Sequence, residues 1–384
     1  MLKESLQNEL DKFFKAISCS ILPLHEVTDS AFCQARKKLL PSAFQELNRI
    51  QVDYYYDNIT HERWSGFRLL AIDGSTLELP RSPKIRAYFG VHTLNDRKKE
   101  MSLARFSQCY DVLNNITVDT LLGKYAGKNT GEQSLAMEHT AYMNEGDLVL
   151  MDRNYPCFYL FSKLLSKQVH FCCRVKVGSW KAARELAKSD QEELITTITP
   201  SKQAKKVCET YGLSIEPIMV RFVKVVLNTG EIEILVTSLL DQEKYPTTIF
   251  GDLYFLRWGI EESYKNYKHK LEIENFTGKS PESVFQDVYA KVFSSNLTMI
   301  LSTEASIELN QKRKQYKYKV NKTNALSKMK DVIVSLFYPD RRKEILAPLL
   351  KLFLINPVPI RPNRAFERCF GYHAKRYDMC YKRC

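Results

Sequence analysis

Apolar and polar residues change their period along this chain, and each change marks a new set of elements. Up to about residue 50, apolar positions recur at three- and four-residue spacings, as in MLKESLQNELDKFFKAI and TDSAFCQARKKLLPSAFQEL, which predicts helices. Asp29 or Ser30 is the expected N-cap of the second helix, and Pro41 is placed to start the next one after Leu40. From Gly66 the pattern shortens to that of strands. FRLLAIDGSTLELP is an apolar run ending in an acid and a turn, then a short alternating run stopped by Pro80. MSLARFSQCYDVLNNITVDTLLG predicts two strands around a tight Asn114-Asn115 turn. TGEQSLAMEHTAYM follows as an amphipathic helix, DLVLMDRNYP as an apolar strand ending in an acid, PCFYLFSKLLSKQ as a helix and VHFCCRVKV as a buried strand. Two antiparallel strands followed by strands alternating with helices predict an α/β sheet of mixed direction.

Residues 177–246 break that alternation. VRFVKVVLNTGEIEILVTSLL predicts a hairpin around Asn228-Thr229-Gly230, so the segment reads as a β-rich insertion. PTTIFGDLYFLRWGIEESYKNYKHKL then resumes as a long helix, and SPESVFQDVYAKVFSSNLTMILSTEA forms a second, with Ser280 or Ser283 near its cap. Five regions result: a helical N-terminal region at 1–60, the first part of an α/β core at 61–176, the insertion at 177–246, the second part of the core at 247–303, and a helical, basic C-terminal region at 304–384.

Charge narrows the partner. The chain is 44% hydrophobic and 26% charged, ordinary for a protein with a real core, but its net charge is +13. A field of that sign favours a polyanion, nucleic acid ahead of an anionic membrane surface. Arg36, Lys37 and Lys38 make the N-terminal region a DNA-binding candidate, with a small helical cap on the next domain as the alternative. No apolar run approaches the ~18 residues of a membrane span, and the amphipathic N-terminus lacks the apolar core of a secretory signal. Ten cysteines without a CxxC pair are expected as reduced thiols in a cytosolic protein.

The chemistry concentrates in residues 254–268, YFLRWGIEESYKNYK. On a helix at about 100° per residue, Tyr254, Arg257, Glu261, Tyr264 and Lys268 fall on one stripe roughly 80° wide. It offers one anionic metal ligand among phosphate-binding cations, the set that chemistry on a nucleic-acid backbone needs. The plainer alternative is a solvated face with an Arg257–Glu261 pair worth a few tenths of a kcal/mol. Two more acids stand at the ends of apolar strands, Asp73 in AIDGST and Asp152 in LVLMDRNY, where open α/β sheets bind ligands. Each also suits a turn-capping role. Three carboxylates without His or Cys form a hard oxygen site for Mg²⁺ or Mn²⁺, and two such ions can activate a hydroxyl and stabilise the leaving oxygen of a phosphodiester.

Asp, Asp and Glu in this order, with Tyr-(2)-Arg-(3)-Glu-(6)-Lys at Tyr254, Arg257, Glu261 and Lys268, resemble the DDE transposases of the insertion sequence four family. DGSTLELP, DRNYP, the β-rich insertion and NPVPIRPNR are similar to that family too, over about residues 20 to 365. The resemblance implies a ribonuclease H-like sheet and two Mg²⁺ or Mn²⁺ ions held by Asp73, Asp152 and Glu261. It also implies phosphate contacts from Tyr254, Arg257 and Lys268, with Arg153 and Tyr155 as further DNA-contact candidates. An aromatic residue of the insertion, Trp180 or Tyr211, would hold a flipped base. The implied activity is cut-and-paste transposition on double-stranded transposon ends and target DNA, by a homodimer in a synaptic complex in the bacterial cytoplasm, at the nucleoid. Two alternatives stay open: a ribonuclease H-like nuclease or resolvase, and an inactive DNA-binding derivative. Cys369, His373, Cys380 and Cys384 have a zinc-like spacing, though a basic tail is the simpler expectation.

Overall fold

Buried apolar strands dictate the architecture. The computed structural model describes residues 5–18, 20–93, 100–127, 130–227, 229–311 and 316–360. The Cys/His cluster from Cys369 to Cys384 lies outside them. The chain divides into two units, one of residues Asn58–Leu77 and Leu103–Lys265, the other of Met1–Asp57, Glu78–Ser102 and Asn266–Cys384.

The first unit is built on one eight-stranded sheet. Its strands are β1 (Arg68–Glu78), β2 (Leu103–Asp111), β3 (Ile116–Lys124), β4 (Asp147–Met151), β5 (His170–Val175), β6 (Glu193–Ile198), β7 (Ile218–Val226) and β8 (Ile232–Thr237), in the order β3-β2-β1-β4-β5-β8-β7-β6. Strands β1, β4 and β5 are parallel, while β2 and β3 form an antiparallel hairpin. That order and these directions make the sheet ribonuclease H-like, as the resemblance implied. All five residues of β4 are buried, as expected of a central parallel strand covered on both faces. The hairpin turns where expected: Asp111 Oδ1 accepts the N–H groups of Leu113 and Asn114 at 3.0 and 2.9 Å, and Asn115 takes a φ of 59°.

The strands of residues 177–246 do not form a sheet of their own. β8 pairs antiparallel with β5, so β8, β7 and β6 extend the core sheet. Arg221 of β7 is fully buried there; it pairs with Glu193, donates to the Tyr245 carbonyl at 2.7 Å and lies over the Phe250 ring. The buried charge is tolerated because the guanidinium has these acceptors.

In the other unit, the N-terminal helices Leu6–Ser18, Asp29–Arg36 and Ser42–Asn58 form as expected, but the cap of the second is Thr28, whose hydroxyl accepts the Ala31 N–H at 3.2 Å. The 31-residue helix Pro281–Gln311 has Ser280 as its cap, the Ser280 hydroxyl accepting the Ser283 N–H at 3.2 Å. Helices Lys322–Val332 and Pro339–Phe353 close a core on it with Ala305, Leu309, Met329, Leu349 and Phe353. Arg36, a DNA-contact candidate by sequence, has another use. Its guanidinium donates to Gln286 Oε1 at 2.7 Å, to the Thr277 hydroxyl and to Asp287 Oδ1 at 3.1 Å. Lys37 and Lys38 stay exposed. We expect Arg36→Ala to cost about 2–3 kcal/mol, because it strips a charge partner from the buried Asp287 while Thr277 keeps bonding that carboxylate. Urea unfolding tests this; a cost below about 0.5 kcal/mol would mark Arg36 as an ordinary surface residue. No helix among the described residues is long and apolar enough to cross a membrane.

Candidate active site

A buried ion pair sets the register that places the first two acids. Arg68 and Asp147, the first residues of β1 and β4, face each other, and the guanidinium donates to both Asp147 oxygens at 2.7 Å. The ladder then runs in step to Ile72 and Met151. Asp73 and Asp152 are the next residues on these adjacent parallel strands, so they stand side by side. Asp152 follows the end of β4, as expected. Asp73 does not end its strand: β1 continues to Glu78, and Asp73 marks where full burial gives way to partial burial. The residues after it, GSTLE, keep pairing, so the expected turn there does not form.

The Asp73 carboxyl is strongly perturbed. Burial raises it from its ordinary value to about 7; the Gly74 N–H at 2.8 Å opposes this, Asp152 adds to it, Arg257 opposes it and Glu261 adds to it. Asp73 therefore feels both other acids within this unit. The Asp73 carbonyl accepts the Tyr264 hydroxyl at 2.5 Å. Asp152 does cap a turn, its Oδ1 accepting the Asn154 N–H at 2.8 Å.

The helix bearing Glu261 is not one continuous rod. Helix Phe250–Phe255 and helix Trp258–Lys265 are joined by a tight turn, with Arg257 N–H bonding three residues back to Tyr254 at 3.1 Å, and a π-helical turn follows at Asn266–Lys270. The expected single stripe is thus broken twice, and Lys268 belongs to the other unit. What survives is the centre. Arg257 Nη2 donates to Glu261 Oε1 at 3.0 Å, and Nη1 lies 3.8 Å from Asp73 Oδ2. The guanidinium stacks over Trp258 at 4.7 Å and over Tyr254 at 5.7 Å. The Tyr254 hydroxyl donates to the Met151 carbonyl at 3.4 Å, tying this segment to the end of β4. The close fit needs Gly259, where a Cβ would lie 3.2 Å from Val112 Cβ in the turn between β2 and β3.

Arg153 is exposed at the end of β4 and open to a polyanion. Tyr155 is fully buried, and its hydroxyl has no hydrogen-bond partner. Burial, with Asp73, Glu132 and Asp152 nearby, pushes its phenol well up. The Tyr155 ring offers no exposed surface in this structure and lies against the strand at Gly74, its hydroxyl 3.7 Å from where a Cβ would stand. Of the two aromatic candidates in the insertion, Trp180 lines a cavity of about 500 Å³ with Gln133, Tyr159 and Ser201, whereas Tyr211 is 51% exposed.

Sequence reasoning missed two neighbours. Glu132, which pairs with Arg105 at 3.1 Å, lies beside Gly74, with its Cγ 3.5 Å from where a Cβ would stand. An acid in a helix's first turn is ordinary, so the sequence carried no signal for it. Tyr264 was placed on the stripe without a role, and its bond to the Asp73 carbonyl shows only in three dimensions.

Among the described residues no three His, Cys, Asp or Glu side chains are grouped closely enough to share an ion, and Arg257 reaches both Asp73 and Glu261. The donor set itself suits a hard divalent cation, being carboxylate throughout. Burial raises Asp73, with repulsion from Asp152 and Glu261 added, and a bound cation relieves both.

The chain resembles known proteins along most of its length. Residues 64–297 match the model of the transposase DDE domain family. The chain is 24% identical over 364 residues to the transposase InsG for insertion sequence element IS4 of Escherichia coli K12, spanning 93% of this chain and 79% of that protein. Among solved structures, a piggyBac transposase synaptic complex with hairpin DNA covers 88% of this chain and 67% of its own, at 11% identity and a TM-score of 0.44.

Proposed function

This chain belongs to the transposase DDE domain family, and from that premise we propose that it cuts DNA at transposon ends and joins the freed 3′-hydroxyls to target DNA. One observation carries the assignment of the site: Asp73 and Asp152 follow in-step residues of adjacent parallel strands, and Arg257 lies 3.8 Å from Asp73 and 3.0 Å from Glu261.

The family works with divalent metal ions. Asp73, Asp152 and Glu261 would hold two Mg²⁺ or Mn²⁺ ions, which supply the positive charge that activates a water or hydroxyl and stabilises the leaving oxygen. The remaining work belongs to the chain. Arg257 orders Glu261 and Asp73 and presents a planar fork to a phosphate. Tyr254 fixes Arg257 from one side, and the exposed Arg153 steers the backbone. Trp180, at the wall of its cavity, is the better placed aromatic for an extruded base. The DNA partners are double-stranded transposon ends and target DNA. We assign a homodimer in the synaptic complex, so that one protomer acts on an end held by the other, and a place of action at the bacterial nucleoid in the cytoplasm. These assignments rest on the family.

Lys268 is assigned to phosphate by the Tyr-(2)-Arg-(3)-Glu-(6)-Lys spacing alone. Lys268→Ala is expected to weaken binding of cleaved transposon ends and to flatten the salt dependence of log affinity by roughly 0.9 per lost phosphate contact. End binding across a salt series measures it; an unchanged slope removes Lys268 from the interface. Mg²⁺-dependent cutting of a terminal-repeat duplex tests the function as a whole.

A further inference from the structure

Three polar side chains on β2, β3 and the helix Glu132–His139 connect without any access to solvent. Asp119 Oδ2 lies 2.6 Å from His139 Nδ1, His139 Nε2 lies 3.0 Å from the Ser107 hydroxyl, and that hydroxyl donates to the Asp73 carbonyl at 3.3 Å. Their exposures are 5%, 0% and 1%. The residue types are those of a hydrolytic triad, but no substrate reaches a serine buried so deeply, and nucleophilic catalysis is excluded on that ground. Burying three polar groups is costly unless each is bonded. The bonds can all be met in one direction. Ser107 has a single proton. With that proton on the Asp73 carbonyl, Ser107 accepts from Nε2–H and Nδ1–H donates to the Asp119 carboxylate, so this pattern has a proton on both ring nitrogens and makes His139–Asp119 a buried ion pair.

We propose that Asp119, His139 and Ser107 form a positioning relay that holds the Asp73 main chain and thereby aims the Asp73 carboxylate. Tyr264 holds the same carbonyl at 2.5 Å, so this backbone group is gripped by two side chains. A single acceptor met by two hydroxyls, the closer of which also lies 3.3 Å from the Phe106 carbonyl, is held more firmly than the ladder alone would hold a strand residue. It is what a carboxylate needs if its direction matters. The inference rests on Asp73 being a metal ligand.

Partners that orient a metal-binding carboxylate typically change metal affinity or activity by about 10–100-fold when removed. The test is Ser107→Ala and His139→Asn in the full chain. Asn retains a donor near the Nδ1 position for Asp119 but gives up the reach to Ser107. Mn²⁺ binding to the DNA-free protein, read by electron paramagnetic resonance, is expected to weaken about tenfold in both, with a similar loss of cleavage rate under saturating DNA. Binding of transposon ends should stay within about twofold, and the double variant should be no worse than either single one, since both break one connection. Ser107→Ala that binds Mn²⁺ and cuts like the parent overturns the relay. So do losses that appear only in proportion to unfolded protein, because then the three residues merely hold the fold. Asp73→Asn run in parallel separates the two levels. If it is inactive beside a normal Ser107→Ala, the relay alone falls; if it binds Mn²⁺ and cuts normally, the acid site falls and takes the relay with it.

Discussion

Asp73→Asn and Glu261→Gln are each expected to reduce Mg²⁺-dependent cleavage by about a thousandfold or more while leaving specific DNA binding in place. A metal ion supplies several kcal/mol of transition-state stabilisation, and each ~1.4 kcal/mol is a factor of ten. Both substitutions delete a carboxylate ligand, and neither removes a cation that a phosphate would meet. Asp73→Asn should also melt at or above the temperature of the parent. It removes a negative charge that burial opposes first and that Asp152 and Glu261 oppose further, so inactivity will not be a folding defect. Cleavage assays on a labelled end duplex, with gel-shift and melting controls, give all three readings. Near-parental cutting by either variant contradicts the site.

The second large effect is at Arg257. Its side chain is only 6% exposed, it touches Glu261 and Asp73, and its flat guanidinium is stacked on Trp258. An exposed ion pair would be worth ~0.2–1 kcal/mol. A buried one whose partner is removed costs about 3–5 kcal/mol. Glu261 keeps 34% of its side chain exposed, which brings Arg257→Ala to or just below that range, at about 2–3 kcal/mol. Cleavage should fall further than stability, by roughly a hundredfold, because the same group orders two acids and binds phosphate. Arg257→Lys restores the charge but neither the fork nor the stacking plane, so it should recover part of the stability and little of the rate. Denaturant unfolding and single-turnover cleavage separate these. A lysine variant that cuts at the parental rate would reduce Arg257 to a point charge.

Much of the site was legible because it lies where simple periods end. Asp152 closes the five-residue apolar strand β4, and Glu261 sits at its fixed spacing from Tyr254 and Arg257. The sequence places Asp73 at the end of an apolar run before a turn. The turn expected after it is instead the continuing strand to Glu78, since β-branched Thr76 and apolar Leu77 pair as readily as a turn would form. The two breaks in the Glu261 helix had no sign in the sequence, because no Pro or Gly marks Leu256–Arg257 or Asn266–Lys270. Arg36 looked like a DNA contact because charge alone does not reveal a buried acid such as Asp287 about 250 residues away. Asp119, Ser107 and His139 interrupt otherwise apolar runs, and polar residues at inward strand positions were the signal that could have found them.

The most direct measurement is strand transfer. The purified chain is incubated with Mg²⁺, a target plasmid and a duplex carrying the inverted repeats that bound its own gene. A DNA transposase acting through Asp73, Asp152 and Glu261 will produce joint molecules in which the 3′ end of the repeat strand is covalently linked to the plasmid, and Asp73→Asn will produce none. Cutting without joining would make the protein a nuclease on a ribonuclease H-like sheet, and neither cutting nor joining in the presence of specific binding would make it an inactive derivative; either result contradicts the account.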